Sequence, residues 1–136
     1  MVDIHSIYHG DLRTEARHGP SGTTLITDAP VDNCGKGESF SPTDLVATAL
    51  GTCMLTTMGI VAQRHNLTLD GARAHVVKEM SQGAPRRIRR LKVRIEMPSG
   101  LSPGDRQLME NTANACPVHK SLHPEVEIPV EFVYPD

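Results

Sequence analysis

The stretch Phe40-Ser41-Pro42-Thr43-Asp44-Leu45-Val46-Ala47-Thr48-Ala49-Leu50-Gly51-Thr52-Cys53 decides how this chain folds. Ser41 is of the type that caps helix N-termini, and Pro42 suits the first helical position. Asp44 can return a shortened capping-box bond, and Phe40 and Leu45 fit a hydrophobic staple across the cap. A long helix is therefore predicted from Pro42 to about His65-Asn66. Leu45, Val46, Ala49, Leu50, Cys53, Met54, Met58, Ile60 and Val61 cover more than one stripe, so burial on most sides is expected. Ala47, Thr48, Ala49, Gly51 and Thr52 are small, so neighbouring elements can approach the middle closely.

Working outward, the N-terminal third reads as three strands: 3–9, 11–17 and 23–27. Gly10 and Gly19-Pro20-Ser21-Gly22 supply the turns. Residues 28–40 form a polar loop. After the helix, 72–80 reads as a strand. In 86–97, Leu91, Val93, Ile95 and Met97 alternate with Lys92, Arg94 and Glu96. Ile88 is out of phase, which implies a bulge or turn near Arg89. Ser102-Pro103 with Asp105 opens a second helix reaching about Ala115. Pro117 pushes Cys116 out of the α region, so the helix breaks there and a short one can begin. A last strand spans 126–134, where Pro129 indicates an edge strand or a bulge.

The chain has 136 residues, with 14 Lys and Arg against 16 Asp and Glu, a net charge of −2. That length fits one domain, 1–136, with a modest core. The near balance of charge points to neither nucleic acid nor a membrane surface. No apolar run is read as a membrane span. The N-terminus lacks the charged and apolar regions of a signal peptide. Three cysteines, an odd number, argue against a disulfide framework and for a cytoplasmic protein with catalytic or buried thiols. A long apolar helix in so small a chain needs cover beyond one three-stranded sheet, so a homodimer of intertwined protomers is expected.

Cys53 lies among Thr52, Thr56 and Thr57 in the predicted helix. It reads equally as a small packing residue or as a reactive thiol. Cys116, in Asn114-Ala115-Cys116-Pro117-Val118-His119-Lys120, would cap the short helix. There the helix dipole, His119 and Lys120 favour a thiolate. Cys34 sits in a flexible loop and reads as a surface thiol. Cys116, His119 and His123 have spacing for three zinc ligands, but a fourth is missing and no Cys-x2-Cys pair exists, so no metal site is expected. Arg86-Arg87-Ile88-Arg89-Arg90 reads better as the start of an amphipathic strand facing Glu127 and Glu131 than as a nucleic-acid patch, since no aromatics are interleaved.

Residues 40–53 and Ala115-Cys116-Pro117-Val118-His119-Lys120-Ser121-Leu122 together resemble the two motifs of the OsmC/Ohr family, and the order of elements agrees along nearly the whole chain. The resemblance implies an α+β fold of the OsmC-like kind: an interlocked homodimer whose long central helices are enclosed by antiparallel β-sheets. It implies reduction of organic hydroperoxides with no metal, haem or flavin. Cys53 would attack the O–O bond, Cys116 would resolve the sulfenic acid as a disulfide, and a cellular dithiol would restore both thiols. It also implies an arginine from the N-terminal strands that holds Cys53 as thiolate. Arg13 is the better match and Arg17 the second. The family's helix-opening proline is followed by a glutamate that pairs with this arginine. Here that position is Thr43, and the acid is Asp44, rotated by about 100° around the helix. The departure keeps two further readings open for the same fold: a non-catalytic binder of small apolar ligands, and a redox sensor.

Overall fold

The elements form in the predicted order. In the computed structural model, which describes residues 1–136, they are β1 (Ile4–Gly10), β2 (Arg13–His18), β3 (Thr24–Asp28), α1 (Pro42–Arg64), β4 (Arg73–Met80), β5 (Ile88–Glu96), α2 (Pro103–Asn114), α3 (Pro117–Ser121) and β6 (Val130–Val133). The fold is α+β. The chain divides into two compact units, Met1–Val46 and Ala47–Asp136, with α1 running from the first into the second.

The first unit is an antiparallel meander, β1-β2-β3. Asp11 and Leu12 join β1 to β2, both with positive φ (54° and 64°). Two such residues match the right-handed twist of the strands they connect. The loop after β3 contains a 3-10 turn, Val31–Asn33, and folds back on itself. Asp28 N–H donates to the Phe40 carbonyl (2.9 Å), and Gly37 N–H to the Ala29 carbonyl (3.1 Å). Gly35 has no alternative here, because a Cβ would lie 1.7 Å from the Ala29 carbonyl oxygen. On the sheet, Ile4 (63% exposed), Ile7 (60%) and Tyr8 (62%) leave apolar surface in water.

At the start of α1, Asp44 N–H donates to Ser41 Oγ (3.1 Å) and Ser41 N–H to the Asp44 carboxylate (2.9 Å). The predicted capping box is therefore present in its shortened form.

The second unit is built on the sheet β4-β5-β6. Leu91, Val93 and Ile95 are buried, while Lys92, Arg94 and Glu96 alternate outward. The register pairs Glu79 with Arg90 but Met80 with Ile88, so Arg89 is the extra residue of a bulge. That bulge puts Ile88 back in phase, as its sequence position requires. β6 joins β5 in parallel, with Val130 opposite Val93 and Phe132 opposite Ile95. The second sheet is thus mixed rather than antiparallel. A parallel neighbour cannot be reached by a hairpin, and α2 and α3 fill the crossover between β5 and β6. Pro129 precedes this edge strand, and its carbonyl accepts from Val93 N–H (2.9 Å), so its missing N–H disturbs no ladder bond.

α1 departs from its expected burial. Only Ala47, Leu50, Gly51, Met54, Met58 and Ala62 are buried, a single stripe at three- and four-residue spacing. Thr48, Thr52, Thr56 and Ile60 are exposed on another face. Burial on most sides would need a further element over that face. By length and composition alone α1 is also apolar enough to cross a bilayer, with mean hydropathy 1.8. The sequence reading missed this because glycine, threonine and alanine dilute its aliphatics. A core helix meets the same criterion, and the buried stripe is what a core helix requires.

Gly51 is where α1 meets β4. A Cβ there would stand 3.0 Å from Val76 Cγ2 and 3.4 Å from Ala74 Cβ. Gly51→Val should destabilise the protein by about 1–3 kcal/mol through overpacking, read as a lower urea midpoint with an unchanged slope.

Candidate functional site

Cys53 projects from the flank of α1, half-buried, between the buried stripe and the exposed threonine row. Its carbonyl accepts from the Thr57 hydroxyl (2.7 Å), whose oxygen lies 3.9 Å from Cys53 Sγ. Cys116 is fully buried. It caps α3 as predicted: its backbone is extended, with φ −62° and ψ 148°, and its sulfur accepts from His119 N–H at 3.4 Å.

The sequence placed Cys116 in a thiolate-favouring spot, and the structure corrects that. Burial pushes the Cys116 thiol up, and this outweighs the backbone N–H groups of His119 and Val118, which pull it down. A hydrogen bond with the Cys53 thiol, and the charge Cys53 carries when ionised, raise it further. A five-residue helix offers too few N–H groups to offset loss of water around the sulfur. The two cysteines of the motifs are therefore neighbours within one unit, with Cys116 the one held as thiol.

The first unit gathers a separate cluster around Arg13. Arg13 Nη2 donates to the buried Asp28 carboxylate (3.4 Å) and to Glu38 (3.2 Å). Both acids raise its pKa, Glu38 first. The Asp28 carboxyl is held below the usual carboxylate range, chiefly by the Glu38 backbone N–H (3.0 Å) and then by Arg13. A cleft of about 170 Å³ opens beside them, lined by His9, Gly10, Asp11, Arg13, Asp28 and Lys36. The carboxylates on Arg13 come from β3 and from the loop before α1, and Asp44 caps α1 through Ser41. Sequence reasoning missed Asp28 and Glu38. One cue was available: an acid at an inward position of β3, where Thr27 and Asp28 are the only buried residues of the strand.

The remaining candidates have structural explanations. Arg17 lies at the exposed end of β2. Cys34 is exposed, in left-handed backbone (φ 69°), at the end of the 3-10 turn. Cys116, His119 and His123 do not gather as a metal-holding group. The arginine run forms ion pairs: Arg89 with Glu79 (2.8 Å), Arg90 with Glu127 (2.8 Å) and Arg87 with Glu125 (3.5 Å). These knit the bulged end of β5 to its neighbours.

A family model described as OsmC-like protein matches residues 35–131. The chain belongs to the OsmC-like family. No curated protein matches it. Among solved structures, one from Psychrobacter arcticus is 44% identical, with a TM-score of 0.92; the match covers 98% of this chain and 96% of that one. That protein is provisionally named as an osmotic stress induced and detoxification response protein. An OsmC-like protein from Mycoplasma pneumoniae is 18% identical (TM-score 0.82, coverage 98% and 96%). An organic hydroperoxide resistance protein from Legionella pneumophila is 14% identical (TM-score 0.78, coverage 97% and 96%). The last two show a shared OsmC-like fold.

Asp28 gives the first unit of this OsmC-like chain an acid-sensitive anchor. Its lowered pKa contributes stability that is complete above the unfolded carboxylate value of about 4 and is lost as pH falls through the lowered value. Asp28→Asn should lower the melting temperature at pH 7 and narrow the difference between wild type and variant below pH 4, in melts monitored by circular dichroism.

Proposed function

We propose that this protein is a thiol-dependent peroxidase acting on organic hydroperoxides, serving oxidative stress defence in the cytoplasm. The observation that carries the proposal is the pair of interacting motif cysteines of unlike burial, Cys53 half-buried and Cys116 fully buried. It sets a partly accessible sulfur beside one that its own chain shields.

The burial difference supports a division of roles. Cys53 attacks, as thiolate, the terminal oxygen of R–O–O–H. The O–O bond breaks, Cys53 becomes a sulfenic acid, and the alkoxide takes a proton to leave as alcohol. Cys116 then attacks the Cys53 sulfur, and a disulfide forms with loss of water. A cellular dithiol attacks the Cys53 sulfur, the accessible one, through a mixed disulfide. Its second thiol closes on the first, returning both protein thiols and leaving the dithiol oxidised. The apolar, methionine-rich helix that carries Cys53 supports a preference for an organic over an inorganic peroxide. Arg13 is the proposed cation for the thiolate and the nascent alkoxide, with Asp28 and Glu38 taking over the orienting part that a glutamate at position 43 would play. Asp44 serves this site indirectly, by fixing where α1 begins. No metal or prosthetic group enters the scheme.

The working unit is proposed to be an interlocked homodimer. Apolar surface left in water supports it, at Ile4, Ile7 and Tyr8 of the first sheet and Ile60 (48% exposed) of α1. Sedimentation of the reduced protein should give the mass of two chains, and Ile60→Glu should shift it toward one.

The test of the reaction is one equivalent of cumene hydroperoxide added to reduced protein, with thiols mapped by mass spectrometry. A Cys53–Cys116 disulfide is the expected product. Cys53→Ser should abolish peroxide consumption, and Cys116→Ser should stop at a trapped sulfenic acid after one turnover. Because burial holds Cys116 as thiol, disulfide closure should accelerate as pH rises past the ordinary thiol range, while sulfenic acid on Cys53 persists longest in acid. Unchanged thiols after prolonged exposure would favour the second reading, ligand binding without catalysis, which Thr43 at the usual glutamate position supports.

A further inference from the structure

Three threonines of α1 donate their hydroxyl protons to the carbonyl four residues back: Thr52 to Thr48, Thr56 to Thr52 and Thr57 to Cys53. Thr52 and Thr56 are exposed, and their bonds do no more than satisfy their own hydroxyls in the manner common to helical threonines. Thr57 differs because it is half-buried and its side chain leans toward the N-terminus over Cys53, as helical side chains four apart do. Its oxygen reaches both the Cys53 carbonyl, at 2.7 Å, and the Cys53 sulfur, at 3.9 Å.

A hydroxyl has one proton. While that proton sits on the Cys53 carbonyl, the oxygen presents only lone pairs to the sulfur, so it can accept from the Cys53 S–H. That arrangement leaves a sulfur lone pair for the thiol of Cys116, the titratable group that pairs with Cys53. Once Cys53 ionises, the same lone pairs would face a negative charge. Rotation about the Thr57 C–O bond moves the hydroxyl proton from the carbonyl to the sulfur. The exchange is favourable because a hydrogen bond to a charged acceptor is stronger than one to a neutral carbonyl. The carbonyl keeps its backbone helix partner.

We propose that Thr57 is a positioning residue for Cys53: its hydroxyl accepts from the thiol at rest and turns to donate to the thiolate, orienting the sulfur for attack. The proposal deepens the peroxidase reading and rests on it for its purpose, but the hydroxyl's action on the sulfur can be measured without any peroxide.

The experiment is the rate of iodoacetamide alkylation at Cys53 in the full-length reduced protein, followed by peptide mass spectrometry from pH 6 to pH 10. Thr57→Val removes the hydroxyl at constant shape, Thr57→Ser keeps it, and Thr56→Val removes an equivalent hydroxyl that does not reach the sulfur. The expected result is a roughly fivefold slower alkylation of Thr57→Val at pH 7, converging with wild type at pH 10. Thr57→Ser and Thr56→Val should follow the wild-type profile. Equal profiles for all four proteins overturn the proposal. So does equal slowing in Thr57→Ser or Thr56→Val, which would trace the effect to packing or helix stability. Loss of peroxidase activity in the wild type would sink the peroxidase reading and leave this comparison standing.

Discussion

The close approach of α1 to β4 at Gly51 sets the rest of the second unit. Without a side chain there, the helix backbone can lie against Val76 and Ala74, and its rotation about its own axis is then fixed. Leu50, Met54 and Met58 turn inward with it. Each residue advances about 100°, so residue 53 falls on the flank of that stripe and residue 52 outside it. A cysteine one place earlier would be an exposed thiol, and one place later a buried packing residue. The half-buried setting of Cys53 follows from the packing at Gly51, two residues before it.

Cys116 is governed by a contest between two local effects. Capping a helix draws a thiol toward ionisation, and burial draws it back. Here burial prevails, because the sulfur is shielded completely while the helix it caps is a single turn and a half. The outcome separates two cysteines that a sequence motif treats alike. One is partly accessible with a hydroxyl beside it; the other is shielded from water and keeps its proton. The two thiols thus differ in solvent access more than in local charge.

Much of this was legible in the sequence. The start of α1 was written in Ser41, Pro42 and Asp44, the kink before α3 in Cys116-Pro117, and the bulge of β5 in the phase of Ile88. These are local rules of sterics and periodicity that tertiary contacts did not override. What escaped depends on contacts between distant segments. Arg13 could be singled out, but its partners Asp28 and Glu38 are brought to it by strand pairing and by a folded loop. The sense of the shift at Cys116 needed knowledge of what covers it. The parallel direction of β6 could not be read from alternation, since period two is the same in either direction. The one-sided burial of α1 departs from its composition because one chain supplies only one layer of cover.

The parallel pairing of β6 with β5 has a consequence for the protein as it is made. The crossover that carries Cys116 leaves the ribosome late, 63 residues after Cys53. At about 5–20 residues per second, the nascent chain presents Cys53 without its proper neighbour for several seconds. Cys34 has already emerged by then, 19 residues ahead. The first thiol that Cys53 can meet during synthesis is therefore the wrong one. Reducing conditions during synthesis would keep that early encounter from becoming a covalent one.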